Sequence, residues 1–160
     1  MRTPFPARRG LAVALLLTYV GVPGIYYGDE VGLGANPQAS SRDCMPWERR
    51  EWDLDLFEFY KKLVALRRTS PALREGGFQV LWVEEDLLAY LRDAEQELVI
   101  VIGNRGPGLH PPGALPVRHG AIPDGLTFTE IFSEARATVV NGCLPLATLP
   151  PGVQVWRAQP

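Results

Sequence analysis

The chain has 160 residues, enough for one ordinary domain or for part of a larger domain joined to a small one. Its formal net charge is −2 and the charged residues are spread along the chain, which argues against a nucleic-acid-binding protein. Hydrophobic residues make up 46%, a normal share for a globular core, while 15 prolines and 16 glycines predict many turns, above all in the second half.

The cysteines argue against a metal site. Cys44 and Cys143 lie far apart and neither belongs to a C-x-x-C motif or a cluster with histidine. His110 and His119 also lack a second ligand at metal-binding spacing. We expect no metal, no cofactor and two free thiols, with a disulfide as the alternative. Free thiols favour a cytoplasmic location.

The N-terminal region allows a second interpretation. Arg2, Arg8 and Arg9 precede the apolar run from Leu11 to Val20, which has the charge and length of a secretory signal. The run is too short to span a bilayer, and bulky residues from Ile25 onwards stand where a small-residue cleavage site would be expected. We favour a buried helix, with an exported β-sandwich protein as the alternative.

The first half of the chain predicts two helices around one short strand. Residues 9–19 are apolar all round, as in a buried helix, and a Gly-Val-Pro-Gly sequence ends it. Ile25 to Tyr27 predicts a short buried strand, and residues 28–50 predict a loop. From Trp52 to Thr69 the apolar residues follow helical spacing until Ser70 and Pro71 stop the pattern.

The second half predicts an antiparallel β-domain. Short apolar or alternating runs cover residues 78–83, 87–91, 98–102, 127–132, 138–140 and 153–156, with turn residues between them. Residues 106–116 predict a long loop. The predicted domains are therefore residues 1–73 and residues 77–160. A single helix–strand–helix unit cannot close a core, so we expect both helices to expose wide apolar faces that a partner or self-association would cover.

Three segments carry a resemblance to a known family. The sequence G-V-P-G-I-Y-Y-G-D-E from Gly21 to Glu30 closely resembles the eighth barrel strand of the α-amylase family, glycoside hydrolase family 13. Ser41 to Trp47 resembles the arginine-containing loop of that family. Residues 57–67 and 71–73 are similar to its last barrel helix and the exit into the C-terminal domain, most closely in neopullulanase, cyclomaltodextrinase and α-glucosidase members.

This resemblance implies a fold and a site. The fold is the last helix–strand–helix unit of a TIM-type (β/α)₈ barrel followed by an all-β antiparallel sandwich domain. Tyr27, Gly28, Asp29 and Glu30 would lie at the mouth of the barrel after strand eight, because active sites form at the C-terminal ends of barrel strands.

The loop that follows is implied to bind the sugar. By this resemblance, Asn36 and Arg42 correspond to an Asp and an Arg of the family that bind sugar hydroxyls. This sequence has Asn in place of the Asp, and the spacer between the two residues is longer. Trp47 could stack on a sugar ring or could anchor the loop to the barrel.

The catalytic carboxylates of the family are not matched in this sequence. Retaining glycosidases need two carboxyl groups about 5 Å apart, and in this family they come from the fourth and fifth strands. Asp29 and Glu30 are sequence neighbours, and their side chains would diverge in an extended chain. Asp53 and Asp55 stand at a helix start, where the helix dipole stabilises carboxylates. We therefore name no catalytic residue.

The sequence supports three hypotheses of function. The favoured one is a C-terminal fragment of a retaining glycosidase that acts on α-glucans or malto-oligosaccharides, inactive alone. The second is a non-catalytic carbohydrate-binding or regulatory module. The third is the exported β-sandwich protein.

Overall fold

The computed structural model describes residues 7–33, 44–107, 113–147 and 149–159. Helices occupy the first half of the chain and strands the second. The helices are α1 (Ala7–Thr18), α2 (Leu54–Thr69) and α3 (Pro71–Glu75), with 3₁₀ turns at Asp29–Val31 and Arg49–Glu51. The strands are β1 (Gly77–Val83), β2 (Leu87–Ala94), β3 (Glu97–Asn104), β4 (Gly113–Pro116), β5 (Thr127–Glu130), β6 (Arg136–Thr138), β7 (Cys143–Leu146) and β8 (Gly152–Ala158).

Side-chain caps begin the second and third helices. The carboxylate of Asp53 accepts a hydrogen bond from the Leu56 amide at 3.1 Å, so Asp53 is the N-cap of α2. The Ser70 hydroxyl accepts one from the Leu73 amide at 3.1 Å and precedes Pro71 in the first turn of α3. The two predicted long helices are thus confirmed, as is the placement of Asp53 at a helix start.

The strands form two antiparallel sheets. Six of them pair in the order β1-β2-β3-β8-β5-β6, and β4 pairs with β7 in a separate two-stranded sheet. The central strand β3 is buried along its whole length. Because side chains alternate between the faces of a strand, β3 supplies apolar side chains to cores on both sides of the large sheet.

Each face of the large sheet has its own apolar core. On one face Leu98, Ile100 and Ile102 pack with the small sheet and the connections around it. On the other face Val99 and Val101 pack with the helices. The buried helical side chains of that second core are Val13, Ala14 and Leu17 of α1, Leu56, Tyr60, Leu63 and Leu66 of α2, and Ala72 and Leu73 of α3.

The strand predicted at Ile25 to Tyr27 is not formed. Residues 22–26 have no regular structure, and Tyr27 and Gly28 form a turn. A strand needs a neighbour for its amide and carbonyl groups, and no other strand lies beside this segment among the described residues. The helix–strand–helix unit of the prediction is therefore present here as two helices and an irregular connection.

One further expectation is wrong in part. Within the predicted loop at residues 106–116, residues 113–116 form β4, while residues 108–112 lie outside the described residues. The partner strand β7 is also absent from the prediction, because each of the two strands is short and carries a proline. The expected exposure of apolar helix faces is found for α1 but not for α2, which packs its apolar stripe on the sheet. Leu16 of α1 is exposed, and a group of exposed apolar side chains follows it: Tyr19, Val20, Val22, Ile25, Tyr26 and Tyr27.

The antiparallel β-domain is confirmed by this topology, whereas the division into residues 1–73 and 77–160 stays a prediction. Within the described ranges, no helix is long and apolar enough to cross a membrane.

Replacing Ile100 with Val tests the role of β3. Ile100 is fully buried, so the loss of one methylene should lower the free energy of unfolding by about 0.5–1.5 kcal/mol in urea denaturation. Val83→Ala removes more carbon from an exposed side chain and should change it by less than about 0.5 kcal/mol. Equal effects of the two variants would contradict the central position of β3.

Candidate functional site

The predicted mouth residues form one compact turn. The Asp29 amide donates to the Tyr26 carbonyl at 3.1 Å, and the amides of Val31 and Leu33 both donate to the Gly28 carbonyl, at 3.1 and 2.9 Å. The rings of Tyr26 and Tyr27 lie 4.7 Å apart at their centres. This turn brings Tyr27, Gly28, Asp29 and Glu30 together, as they are in sequence, but not as the end of a strand.

Gly28 is required by the geometry of the turn. Its φ of 86° lies in the left-handed region that side chains disfavour. A Cβ atom at this position would also lie 2.6 Å from the Cβ of Leu33, closer than such atoms approach. Any other residue would therefore open the turn.

The first residues of α2 are hydrogen-bonded to the C-terminal end of the turn. The Asp53 amide donates to the Val31 carbonyl at 3.0 Å, and the Val31 side chain is buried. The Asp53 carboxylate caps α2 and lies 3.7 Å from the Arg9 guanidinium of α1. Asp53 thus joins α1, α2 and the turn.

A small group of ionisable side chains surrounds the turn. Arg9, Asp29 and Tyr60 line one groove between α1 and the turn. Burial raises the pKa of the Tyr60 hydroxyl, the negative charges of Asp29 and Glu30 raise it further, and Arg9 opposes them. Tyr60 therefore stays protonated at neutral pH and remains a hydrogen-bond donor.

Asp29 and Glu30 differ in exposure. Asp29 is exposed and Glu30 is half-buried. The Oε2 atom of Glu30 is buried and has no hydrogen-bond partner among the described residues. A buried carboxylate oxygen without a donor is unfavourable, so this side chain lacks a contact.

The predicted sugar-binding residues are only partly visible. Asn36 and Arg42 lie outside the described residues. Trp47 is 82% exposed, so its ring is little covered by this chain, and both of its predicted roles stay predictions. Within this chain the loop is held by Trp52, whose indole N–H donates to the Pro46 carbonyl at 2.7 Å and whose ring packs on Phe57.

Sequence reasoning missed Arg9, Tyr60 and Trp52. In the sequence Arg9 stands at the charged start of an apolar run, and Tyr60 and Trp52 belong to a helical stripe. Nothing in those patterns distinguishes a residue that packs in a core from one that also faces a turn.

Metal-ligating side chains are not clustered within the described ranges. No three His, Cys, Asp or Glu side chains there are grouped to hold a metal ion. Cys44 is exposed and Cys143 half-buried, and both thiols are free, as predicted. His119 lies 3.9 Å from the Asp93 carboxylate in the β-domain, away from the turn.

Residues 78–157 match the family described as neopullulanase-like, C-terminal domain. The chain belongs to this family. It therefore belongs to the α-amylase family, glycoside hydrolase family 13, and is similar to the C-terminal domains of its members, in agreement with the motifs around Tyr27 and Trp47.

Two longer enzymes are similar to this chain over part of their length. A cyclomaltodextrinase from Bacillus sp is 39% identical over 121 residues, which are 74% of this chain and 22% of the enzyme. Neopullulanase 2 of Thermoactinomyces vulgaris is 38% identical over 103 residues, 62% of this chain and 18% of the enzyme. The chain thus spans about a fifth of the length of these curated relatives.

A solved structure extends the likeness to the fold. A cyclomaltodextrinase structure superposes with a TM-score of 0.79 at 34% identity, over 94% of this chain and 25% of that enzyme. The antiparallel domain of this chain is therefore homologous to the C-terminal β-domains of enzymes that act on α-glucans.

Replacing Asp53 with Ala tests whether its carboxylate stabilises the start of α2 beside the turn. Loss of the N-cap should lower the free energy of unfolding by about 1 kcal/mol, because the Leu56 amide loses its acceptor. Asp53→Asn keeps an acceptor and should cost about half of that or less. Asp55→Ala, in the exposed first turn, is the matched control. If Asp55→Ala destabilises as much as Asp53→Ala in urea, the cap does not provide this stabilisation.

Proposed function

We propose that this chain is the C-terminal part of a retaining glycosidase that acts on α-glucans. It would supply the strand-eight side of the sugar site together with a stabilising β-domain, while the catalytic carboxylates come from a preceding barrel. By itself the chain would then be inactive.

The extent of the similarity supports this proposal. The family match covers residues 78–157, but the superposition with the cyclomaltodextrinase covers 94% of the chain and so takes in most of the helical half. That enzyme is about four times longer than the matched part. The helical half is accordingly interpreted as the end of a catalytic barrel.

An exposed apolar surface also supports it. Val22 is 98% exposed and Tyr26 is 59% exposed, next to Ile25 and Tyr27. Residues 22–26 make no backbone ladder with any described strand. Large apolar groups grouped in this way mark an interface, and we assign it to the preceding part of the same barrel. The Glu30 oxygen that lacks a donor lies beside the same segment.

The carboxylates of the turn do not fit the catalytic role. A retaining mechanism needs a nucleophile and a general acid about 5 Å apart on opposite sides of one bond. Asp29 and Glu30 stand on successive residues of a 3₁₀ turn, one exposed and one half-buried. Their role in the proposal is structural or substrate-positioning.

Sugar binding would fall to the loop between the turn and α2. The exposed Trp47 ring is suited to stack on the apolar face of a pyranose, and Arg42 and Asn36 remain the predicted hydroxyl contacts. The same exposed ring favours a second function, a non-catalytic carbohydrate-binding module. A cytoplasmic location stays part of the proposal on the basis of the free thiols.

Reducing-sugar release tests the proposed function. The purified chain should release no sugar from maltotriose, starch, pullulan or a cyclomaltodextrin, since it lacks an acid and nucleophile pair. The Bacillus sp cyclomaltodextrinase serves as the positive control on the cyclomaltodextrin. Release that disappears in Asp29→Asn or Glu30→Gln would show a catalytic pair within this chain and overturn the proposal.

A further inference from the structure

Two arginines, one from α2 and one from β2, donate hydrogen bonds to carbonyls at the end of α1. Arg67 of α2 donates through Nη1 to the carbonyls of Leu17 at 2.9 Å and Tyr19 at 3.1 Å, and through Nη2 to that of Gly21. Arg92 of β2 donates through Nη1 to the Thr18 carbonyl at 2.9 Å. We call Arg67, Arg92 and these four carbonyls the arginine clamp.

Two of the four clamp carbonyls, those of Leu17 and Thr18, belong to the last turn of α1, and the other two follow the helix. The last four carbonyls of an α-helix have no intrahelical partner, and the C-terminal end carries a partial negative charge. Thr18 is fully buried, so water cannot supply the missing donors there. Guanidinium groups give several charged hydrogen bonds in a fixed geometry, which suits this end of α1.

Both guanidinium groups are themselves removed from water. Arg92 is 1% exposed and Arg67 is 8% exposed. Burial lowers the pKa of both side chains, and for Arg92 the positive charge of Arg67 lowers it further. In the described residues no carboxylate lies within 4 Å of either guanidinium, so the hydrogen bonds of both go to carbonyl groups. For Arg92 the nearby negative charge of Asp93 acts against the lowering of the pKa.

Arg92 also ties α1 to the start of the sheet. Its remaining donors reach the carbonyls of Leu73 at 3.2 Å, Gly76 at 3.0 Å and Gly77 at 2.9 Å. One side chain therefore joins the exit of α1, the end of α3 and the first residue of β1.

Tyr90 reinforces the same contact. It stands two residues before Arg92 on β2, on the same face, and its hydroxyl shares a 2.5 Å hydrogen bond with the Thr18 hydroxyl. Burial raises the pKa of Tyr90 to about 12, so the hydroxyl remains protonated at neutral pH.

The clamp lies at one end of the segment that leads to the turn. Arg67, near the end of α2, holds the Gly21 carbonyl, and Asp53, at the start of α2, holds the Val31 carbonyl. The chain between them therefore runs antiparallel to α2. Residues 22–26 are largely exposed between these two points.

We infer that Arg67 and Arg92 are positioning residues: they fix the exit of α1 on α2 and β2, and so set where the segment that carries the Tyr27–Glu30 turn begins. This goes beyond the proposed function, because it concerns how the β-domain and α2 hold that segment. It stands whether or not the chain binds a glucan.

Hydrogen–deuterium exchange of the full chain tests the inference. In Arg67→Met, amides of residues 15–20 should exchange at least about tenfold faster, since charged hydrogen bonds to three carbonyls are lost. Amides of residues 98–102 in β3 should change by less than about twofold, because most of the second core does not involve Arg67. Arg67→Lys should recover part of the protection, as an ammonium group still donates.

Two further variants complete the test. Arg136→Met, on an exposed residue of β6, should leave residues 15–20 unchanged. Arg92→Met should act as Arg67→Met does if it folds, and the Arg67 series decides the question if it does not. Unchanged exchange at residues 15–20 in Arg67→Met would overturn the inference. So would an equal acceleration at residues 98–102, or a Lys variant no better protected than Met.

Discussion

The buried end of α1 is the constraint on which the helical half depends. An apolar helix can lie on a sheet only if the carbonyls at its buried end find donors, since unpaired backbone groups away from water are costly. Arg67 and Arg92 provide those donors from α2 and β2. With that end satisfied, Val13, Ala14 and Leu17 pack on the helix-side face of the sheet.

The two faces of the large sheet explain why helices and β-domain behave as one packed structure in this chain. Strand β3 contributes alternate residues to a core shared with the small sheet and to a core shared with the helices. Glu97, at the start of β3, adds a polar link, because its carboxylate accepts from the Ala72 amide of α3 and pairs with Arg157 of β8. Because the β-domain packs against the helices, and α2 is hydrogen-bonded to the turn through Asp53, the β-domain also helps to position the turn at Tyr27–Glu30.

Periodicity and turn residues were sufficient to predict the two long helices and five of the strands, whereas the strand predicted at residues 138–140 meets β6 only at Thr138. They were insufficient where structure depends on a distant partner. Ile25 to Tyr27 has the composition of a strand, but a strand forms only beside another strand, and the described residues provide none. Strand β4 has a composition typical of a loop and is held by β7. At the first place the composition predicts a strand that does not form, and at the second it predicts a loop where a strand forms.

The site shows the same limit. The motif around Gly28 identified the family, but it predicted the end of a strand where the structure has a turn. The left-handed φ of Gly28 explains that glycine physically. The arginine clamp was not predictable, because its acceptors are backbone carbonyls 46 to 74 residues away in sequence, and any residue type presents a carbonyl. Trp47 and Trp52 look alike in sequence, yet one is exposed and the other holds the loop.

Isothermal titration of maltotriose and of a cyclomaltodextrin into the purified chain tests the central claim most directly, namely that this chain carries one side of a sugar site completed by a preceding barrel. We expect no saturable heat from either sugar, in the chain itself or in Trp47→Ala. Stoichiometric binding by the chain alone, lost in Trp47→Ala, would contradict it and identify a self-sufficient carbohydrate-binding module.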